Sequence, residues 1–178
     1  FFLYTDTTRM QLAFMALGYR ANMDFDLRYG NFNSNGISSL LEFPFNRYVC
    51  NMDEFRWEMD ENEMFLSNQM LTSVPEIQKM SREDLIDVDL AGSEFISVHP
   101  DQDSLRFFSL RASYDVDNNI IRAEDVKVIK VADAAIFPGD GKVTILEDAV
   151  METLLGSHII TSTSNKYHHI HDANVNIY

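Results

Sequence analysis

The chain has 178 residues, 46% of them hydrophobic, with 28 acidic and 14 basic side chains for a net charge of -14. Enough apolar material is present for a packed core, which argues against wholesale disorder. The acidic surface repels phosphate backbones and anionic lipid headgroups, so no nucleic-acid partner is expected. No apolar run reaches the ~18 residues of a membrane-spanning helix, and no nucleotide loop, nucleophile motif or CxxC pair occurs.

The chain opens on "FFLYTDTT", with no initiator methionine and no signal peptide, and ends at Tyr178 inside a predicted strand. It therefore reads as a fragment of a longer chain. "RMQLAFMALGY" (Arg9 to Tyr19) suits a buried helix or a buried strand, and periodicity alone does not choose. "GNFNSNG" (Gly30 to Gly36) carries turn chemistry. Phe43, Phe45, Tyr48, Phe55 and Trp57 form an aromatic-rich group. Phe55 and Trp57 alternate with Arg56 and Glu58, which marks a strand with one face in the core rather than an exposed sugar platform. Cys50 is the single cysteine and reads as a small buried apolar side chain.

Residues 73–93 interrupt the strand pattern. Ser73 with Glu76 makes one capping box, and Ser81 with Asp84 a weaker one, so short helical turns are expected. "HPDQD" (His99 to Asp103) reads as a turn. "LRASY", "DVDNN" and "IIRAEDVKV" then read as strand, turn, strand, and "PGDG" (Pro138 to Gly141) as another turn before "KVTIL". Asp115, Asp117 and Asn119 resemble the opening of a calcium loop, but Ile120 and Val126 occupy the places of its glycine and glutamate, so a turn is expected. "YHHIHD" places His169 and His171 on one strand face, where they could bind zinc with Asp172 or His158. Surface histidines are common on strands, so no metal site is assigned, and no catalytic or cofactor-binding residue either.

One short pattern recurs: apolar, polar, Asp, small apolar, any, apolar. It is centred on Asp125, Asp148 and Asp172, 23 and 24 residues apart, with looser copies at Asp53 and Asp103. Such a period signals a stacked array. Its copies are expected to occupy successive rungs, with Val128, Met151 and Val175 sharing one apolar spine. The three aspartates could stack into a carboxylate row that binds a cation or acts on polysaccharide, although each closing its own turn is the simpler expectation. The fold class that follows is all-β: an elongated β-jellyroll or β-solenoid of stacked, antiparallel strands, with a short helical excursion near residues 73–90. A compact sandwich is the alternative. Residues 1–72 form an N-terminal β segment, 73–93 the excursion, and 94–178 C-terminal β repeats continuous with the first segment.

"LRASYDVDNNIIRAEDVKVIKVADAAIF" resembles the repeating unit of the OstA/LptA organic-solvent-tolerance and lipopolysaccharide-transport group, Ala112-Ser113-Tyr114-Asp115 matching its start. "NNIIRAED" lacks the glycine that follows the turn in that group. The portion from about Phe95 to Tyr178 is also similar to segments of very large cell-envelope proteins of Bacteroides-type bacteria. The resemblance implies a non-enzymatic β-jellyroll in the periplasm or at the outer-membrane periphery, with no functional residue carried over to a numbered position. The function expected is a structural or bridging module of the bacterial cell envelope. Its partners would be other envelope proteins or adjacent repeats of the same chain, and a groove could contact lipid. The alternative is a carbohydrate-binding or carbohydrate-active β-solenoid.

Overall fold

Short runs of alternating burial, broken by left-handed turn residues, set the architecture. The structure is a computed structural model that describes residues 1–5, 10–36, 38–68, 79–88, 94–166 and 168–178. Strands β1 to β8 span Phe2–Tyr4, Leu12–Leu17, Tyr19–Asp24, Tyr29–Ser34, Leu40–Phe43, Tyr48–Cys50, Glu54–Glu58 and Glu63–Ser67. Helix α1 spans Arg82–Asp87. Strands β9 to β17 span Glu94–Ser97, Arg106–Phe108, Arg111–Asp115, Ile120–Glu124, Ile129–Val131, Ala134–Phe137, Val143–Ile145, Met151–Thr161 and His168–Ile177. The protein is thus mostly β, and every pairing is antiparallel. The ambiguous stretch ending at Tyr19 resolves as strand β2.

The pairings divide into two runs. The first is β1-β2-β5-β6-β9-β10-β13-β14-β16. The second is β3-β4-β7-β8-β11-β12-β15-β16. Hairpins alternate between the runs along the chain. β16 belongs to both: Met151 pairs with Ile145 of the second run, and His158 to Thr161 pair with β14 of the first. β17 follows β16 along its whole length, with register shifts near Gly156 and Asp172, both at positive φ. One-residue slips of this kind bend a ribbon, and here they carry β16–β17 from one run to the other.

The runs pack face to face on an aromatic core. Phe14 of β2 lies 5.3 Å from Phe55 of β7, and Phe43 of β5 lies 5.0 Å from Tyr114 of β11. Within the runs Phe32 stacks on Phe55 at 4.2 Å and Phe95 on Phe107 at 5.1 Å. Edge-on and offset ring pairs stabilise beyond area burial, by about 0.5–1.5 kcal/mol each. The Tyr114 hydroxyl donates across the core to the Ala13 carbonyl at 3.1 Å. One flank is tied by Asn46, fully buried, whose Nδ2 donates to the carbonyls of Asn119, Ile145 and Leu146.

A second, smaller cluster sits on the outer face of the first run. Leu85 and Ile86 of α1 cover Phe108, Val128, Ala135, Phe137 and Ile160. This explains why Ala135, Ile136 and Phe137 are buried in succession: one side faces the main core and the other lies under the helix. Ser81 caps α1, accepting from the Asp84 amide at 3.1 Å, as the weaker capping box implies. Ser73 and Glu76 lie outside the described residues.

The recurring Asp pattern does not mark equivalent rungs. Asp125 stands at the corner after β12, Asp148 in the turn between β15 and β16, and Asp172 inside β17. Val128 belongs to the cluster under α1, Met151 to the main core, and Val175 packs half-buried against that core. What the copies share is backbone conformation, with φ of 58°, 56° and 52°, and Asp103 joins them at 44°. Aspartate tolerates the left-handed region better than most residues, so the pattern encodes kinks in different contexts. The true alternation is of hairpins, beginning at Tyr19, Glu54, Arg111 and Val143 in the second run, intervals of 35, 57 and 32 residues. The turn expected from Gly30 to Gly36 is confined to its last residues, where Gly36 has φ 117°. Residues 30–34 are strand, and a Cβ on Gly30 would crowd the Met23 sulfur at 2.6 Å and the buried Phe32 ring at 2.9 Å, so this glycine serves close packing rather than a turn.

Candidate functional site

Burial consumes the apolar alternate of β4, β7, β8, β11 and β12 in the second run, and their other alternate faces outward. No helix covers that face among the described residues, and it forms a groove of about 700 Å³ across β4, β7, β8, β11 and β12. Five strands at a spacing of about 4.8 Å make a trough about 19 Å across. Cross-strand register sets its floor. Asn31 faces Arg56, Arg56 faces Phe65, Phe65 faces Ser113, and Ser113 faces Arg122. A parallel row runs Asn33, Glu54, Ser67, Arg111, Glu124. Phe65 is 48% exposed although Met64 and Leu66 beside it are buried, so its ring stands alone on a polar floor.

The arginines are held in place by neighbours. Arg56 Nε contacts Glu58, and the Arg56 guanidinium lies 4.2 Å over the Tyr29 ring. Arg122 stands 3.7 Å from Asp115, and Arg111 donates to Asp125 at 2.9 Å. A guanidinium has five N–H donors, so one carboxylate contact does not exhaust it. Partial burial pushes the Asp115 pKa up, but hydrogen bonds from Asn118 and the charge of Arg122 outweigh this and hold it below the ordinary carboxylate value. Asp115, Asp117 and Asn119 therefore build a hairpin turn, as expected: Asp115 accepts from the Asn118 amide at 3.0 Å, and Asp117 accepts from Asn62 at 2.7 Å.

A second constellation joins three histidines. His158 Nε2 lies 3.1 Å from His169 Nδ1, and His169 Nε2 lies 3.1 Å from the Lys166 carbonyl oxygen; on its other side His158 touches His171. The structure thus brings together the histidines singled out in "YHHIHD", plus His158. They touch opposite nitrogens of the central ring, so their donors do not converge on one point. Among the described residues no group of three or more His, Cys, Asp or Glu is placed to hold a metal ion. Lys166 ties the same corner to α1, with its Nζ 2.6 Å from Asp87 and 2.8 Å from the Glu83 carbonyl.

The remaining candidates separate. Asp125 pairs with Arg111 and Asp148 with Arg47, on different turns, and Asp172 is exposed on β17, so no carboxylate row forms. Phe43, Tyr48 and Phe55 are buried core, while Phe45 and Trp57 pack half-buried against it. Cys50 is buried, and burial pushes its thiol pKa far up, which leaves it unreactive. The groove residues Asn31, Phe65, Arg111, Ser113 and Arg122 were not singled out from sequence. The one local signal was Phe65 itself, an aromatic on the polar alternate of its strand. Their convergence depends on register between strands up to 91 residues apart, from Asn31 to Arg122, which no local pattern states.

Fold and groove define a class, an antiparallel two-run β protein with a polar trough on one outer face. No family model matches the chain, and no curated protein matches it in sequence.

Proposed function

We propose that this chain is a non-enzymatic structural or bridging module of the bacterial cell envelope, an open β-jellyroll that joins neighbouring ladders through its strand edges. The observation that carries this reading is the state of those edges. Among the described residues the residue-by-residue registers pair β17 with β16, β1 with β2 and β3 with β4, and with no other strand. β17 presents ten residues, with Asp172 the single acidic side chain and no lysine, arginine or proline. Proteins that stay apart defend such an edge with lysine, proline, bulges or a covering loop. β17 is bulged near Asp172 but carries no lysine, arginine or proline, and an edge of this length accepts another strand by backbone hydrogen bonding on either side of the bulge. The neighbours are adjacent repeats of the same chain or other envelope proteins, in the periplasm or at the outer-membrane periphery, as the OstA/LptA resemblance of residues 110–137 implies. A lipid path has less support, since aromatic side chains fill the space between the runs and the outer groove is polar.

Sedimentation over a wide concentration range tests the edge reading. The expected result is end-to-end association, with β17 amides protected from exchange in the associated form. Asn174→Lys with Asn176→Lys should abolish it without lowering the melting temperature. A chain that stays monomeric when concentrated, or that associates undiminished in the lysine variant, would overturn the reading.

A further inference from the structure

We propose that the groove on the second run binds an acidic oligosaccharide, a glycan chain bearing carboxylates, independently of whether the edges join neighbouring ladders. Three features of the trough converge on that ligand class.

The first is its aromatic. Phe65 is half exposed at the centre of the central row, between Arg56 on β7 and Ser113 on β11. A flat apolar ring on an otherwise polar floor fits the C–H face of a pyranose. It is too little apolar surface to hold a lipid chain or an amphipathic helix, each of which needs a continuous apolar stripe.

The second is hydrogen-bonding capacity. Asn31, Asn33, Ser67 and Ser113 line the same trough. Amides and hydroxyls both donate and accept, which matches a ligand dense in hydroxyl groups.

The third is charge. The lining holds three arginines, Arg56, Arg111 and Arg122, against two glutamates, Glu54 and Glu124, in a chain whose net charge is -14. Each arginine also meets a carboxylate at the rim, Glu58, Asp125 or Asp115, so the trough offers spare guanidinium N–H donors rather than a net positive charge. Arginine forks match carboxylates in geometry. Spaced carboxylates on a sugar chain can meet separate arginines while avoiding the two glutamates. A nucleic-acid strand, with a phosphate at every residue, would meet the glutamates and the surrounding acidic surface. The trough is open along the sheet, so it suits an extended chain rather than a monosaccharide.

The whole chain is to be tested on an array of uronate-containing and neutral oligosaccharides, with oligothymidylate as the nucleic-acid control, followed by titration calorimetry on the strongest acidic glycan retained. The expected result is selective retention of acidic glycans, weakened by salt. Phe65→Ala and the pair Arg56→Gln with Arg122→Gln should each weaken binding about tenfold or more, while Phe65→Tyr keeps it. These side chains are outward-facing, and melting curves of each variant identify any that misfold. Asn174→Lys with Asn176→Lys, on the β17 edge, should leave glycan binding unchanged, which separates failure here from failure of the edge reading. Retention of no acidic glycan, equal retention of neutral ones, preference for oligothymidylate, or binding indifferent to the groove variants would each overturn the proposal.

Discussion

His158 Nδ1 lies 3.0 Å from His171 Nδ1 across β16 and β17, so the imidazole of His158 is clasped on both sides by histidine. A neutral trio satisfies every contact: His169 donates to the Lys166 carbonyl, His158 to His169, and His171 to His158. One added proton is tolerated if His158 donates both ways. A second sets N–H against N–H and opens the cluster.

That geometry predicts acid sensitivity at this corner. Burial lowers the His158 pKa, the charges of Arg82, His171 and His169 lower it further, and Glu83 opposes them. The folded state then binds protons less readily than the unfolded one. The stabilisation is complete above the unfolded imidazole value of about 6.5 and is lost as pH falls through it toward the lower folded value. Protection of the β17 amides from His168 to Asp172, taken relative to their intrinsic exchange rate at each pH, should fall on acidification from pH 8 to pH 5, with the far half of the strand less affected. His158→Gln should flatten that dependence. An equal loss of protection along the whole strand would dismiss the cluster as its cause.

Asn46 is the polar anchor of one flank. Its Nδ2 donates at 2.6, 3.2 and 3.0 Å to the carbonyls of Asn119, Ile145 and Leu146, in the turns of the facing run. Asn46→Ala leaves those buried acceptors short and should cost about 2–3 kcal/mol in urea unfolding. Asn46→Asp should cost more, because a carboxylate would face carbonyl oxygens. A change below about 0.5 kcal/mol would show that water replaces the amide.

The left-handed aspartates allow a test in which charge and conformation separate. Asp125 has φ 58° and pairs with an exposed Arg111. An exposed pair contributes little, about 0–1 kcal/mol, so Asp125→Gly should be nearly neutral. Asp125→Val, a β-branched residue forced to positive φ, should lose about 1–2 kcal/mol by thermal or urea unfolding. Equal losses in the two variants would assign the position to the ion pair instead.

Phe55 should be the costliest core truncation. It stacks on Phe32 at 4.2 Å and meets Phe14 and Tyr19 at 5.3 Å each, linking the two runs. Phe55→Ala should destabilise by about 3–5 kcal/mol, while Phe65→Ala, ten residues on but outward-facing, should change stability by less than about 1 kcal/mol. Chemical denaturation of the two side by side decides this.

Alternation and turn chemistry alone determined much of this protein. Phe55 and Trp57 alternating with Arg56 and Glu58, the Asp115–Asn119 turn, the Ser81 cap and the all-β, antiparallel character are written locally, because burial and backbone sterics act within a few residues. Only the tertiary structure decided which strands are neighbours. Asn31, Phe65 and Arg122 meet in one trough, Val128 and Met151 part into separate cores, and the recurring aspartates turn out to be kinks in unrelated places. The physical reason is that strand register is a long-range property. Each pairing is set by the fit of two buried faces and the geometry of the corners between them, and neither partner carries that information by itself.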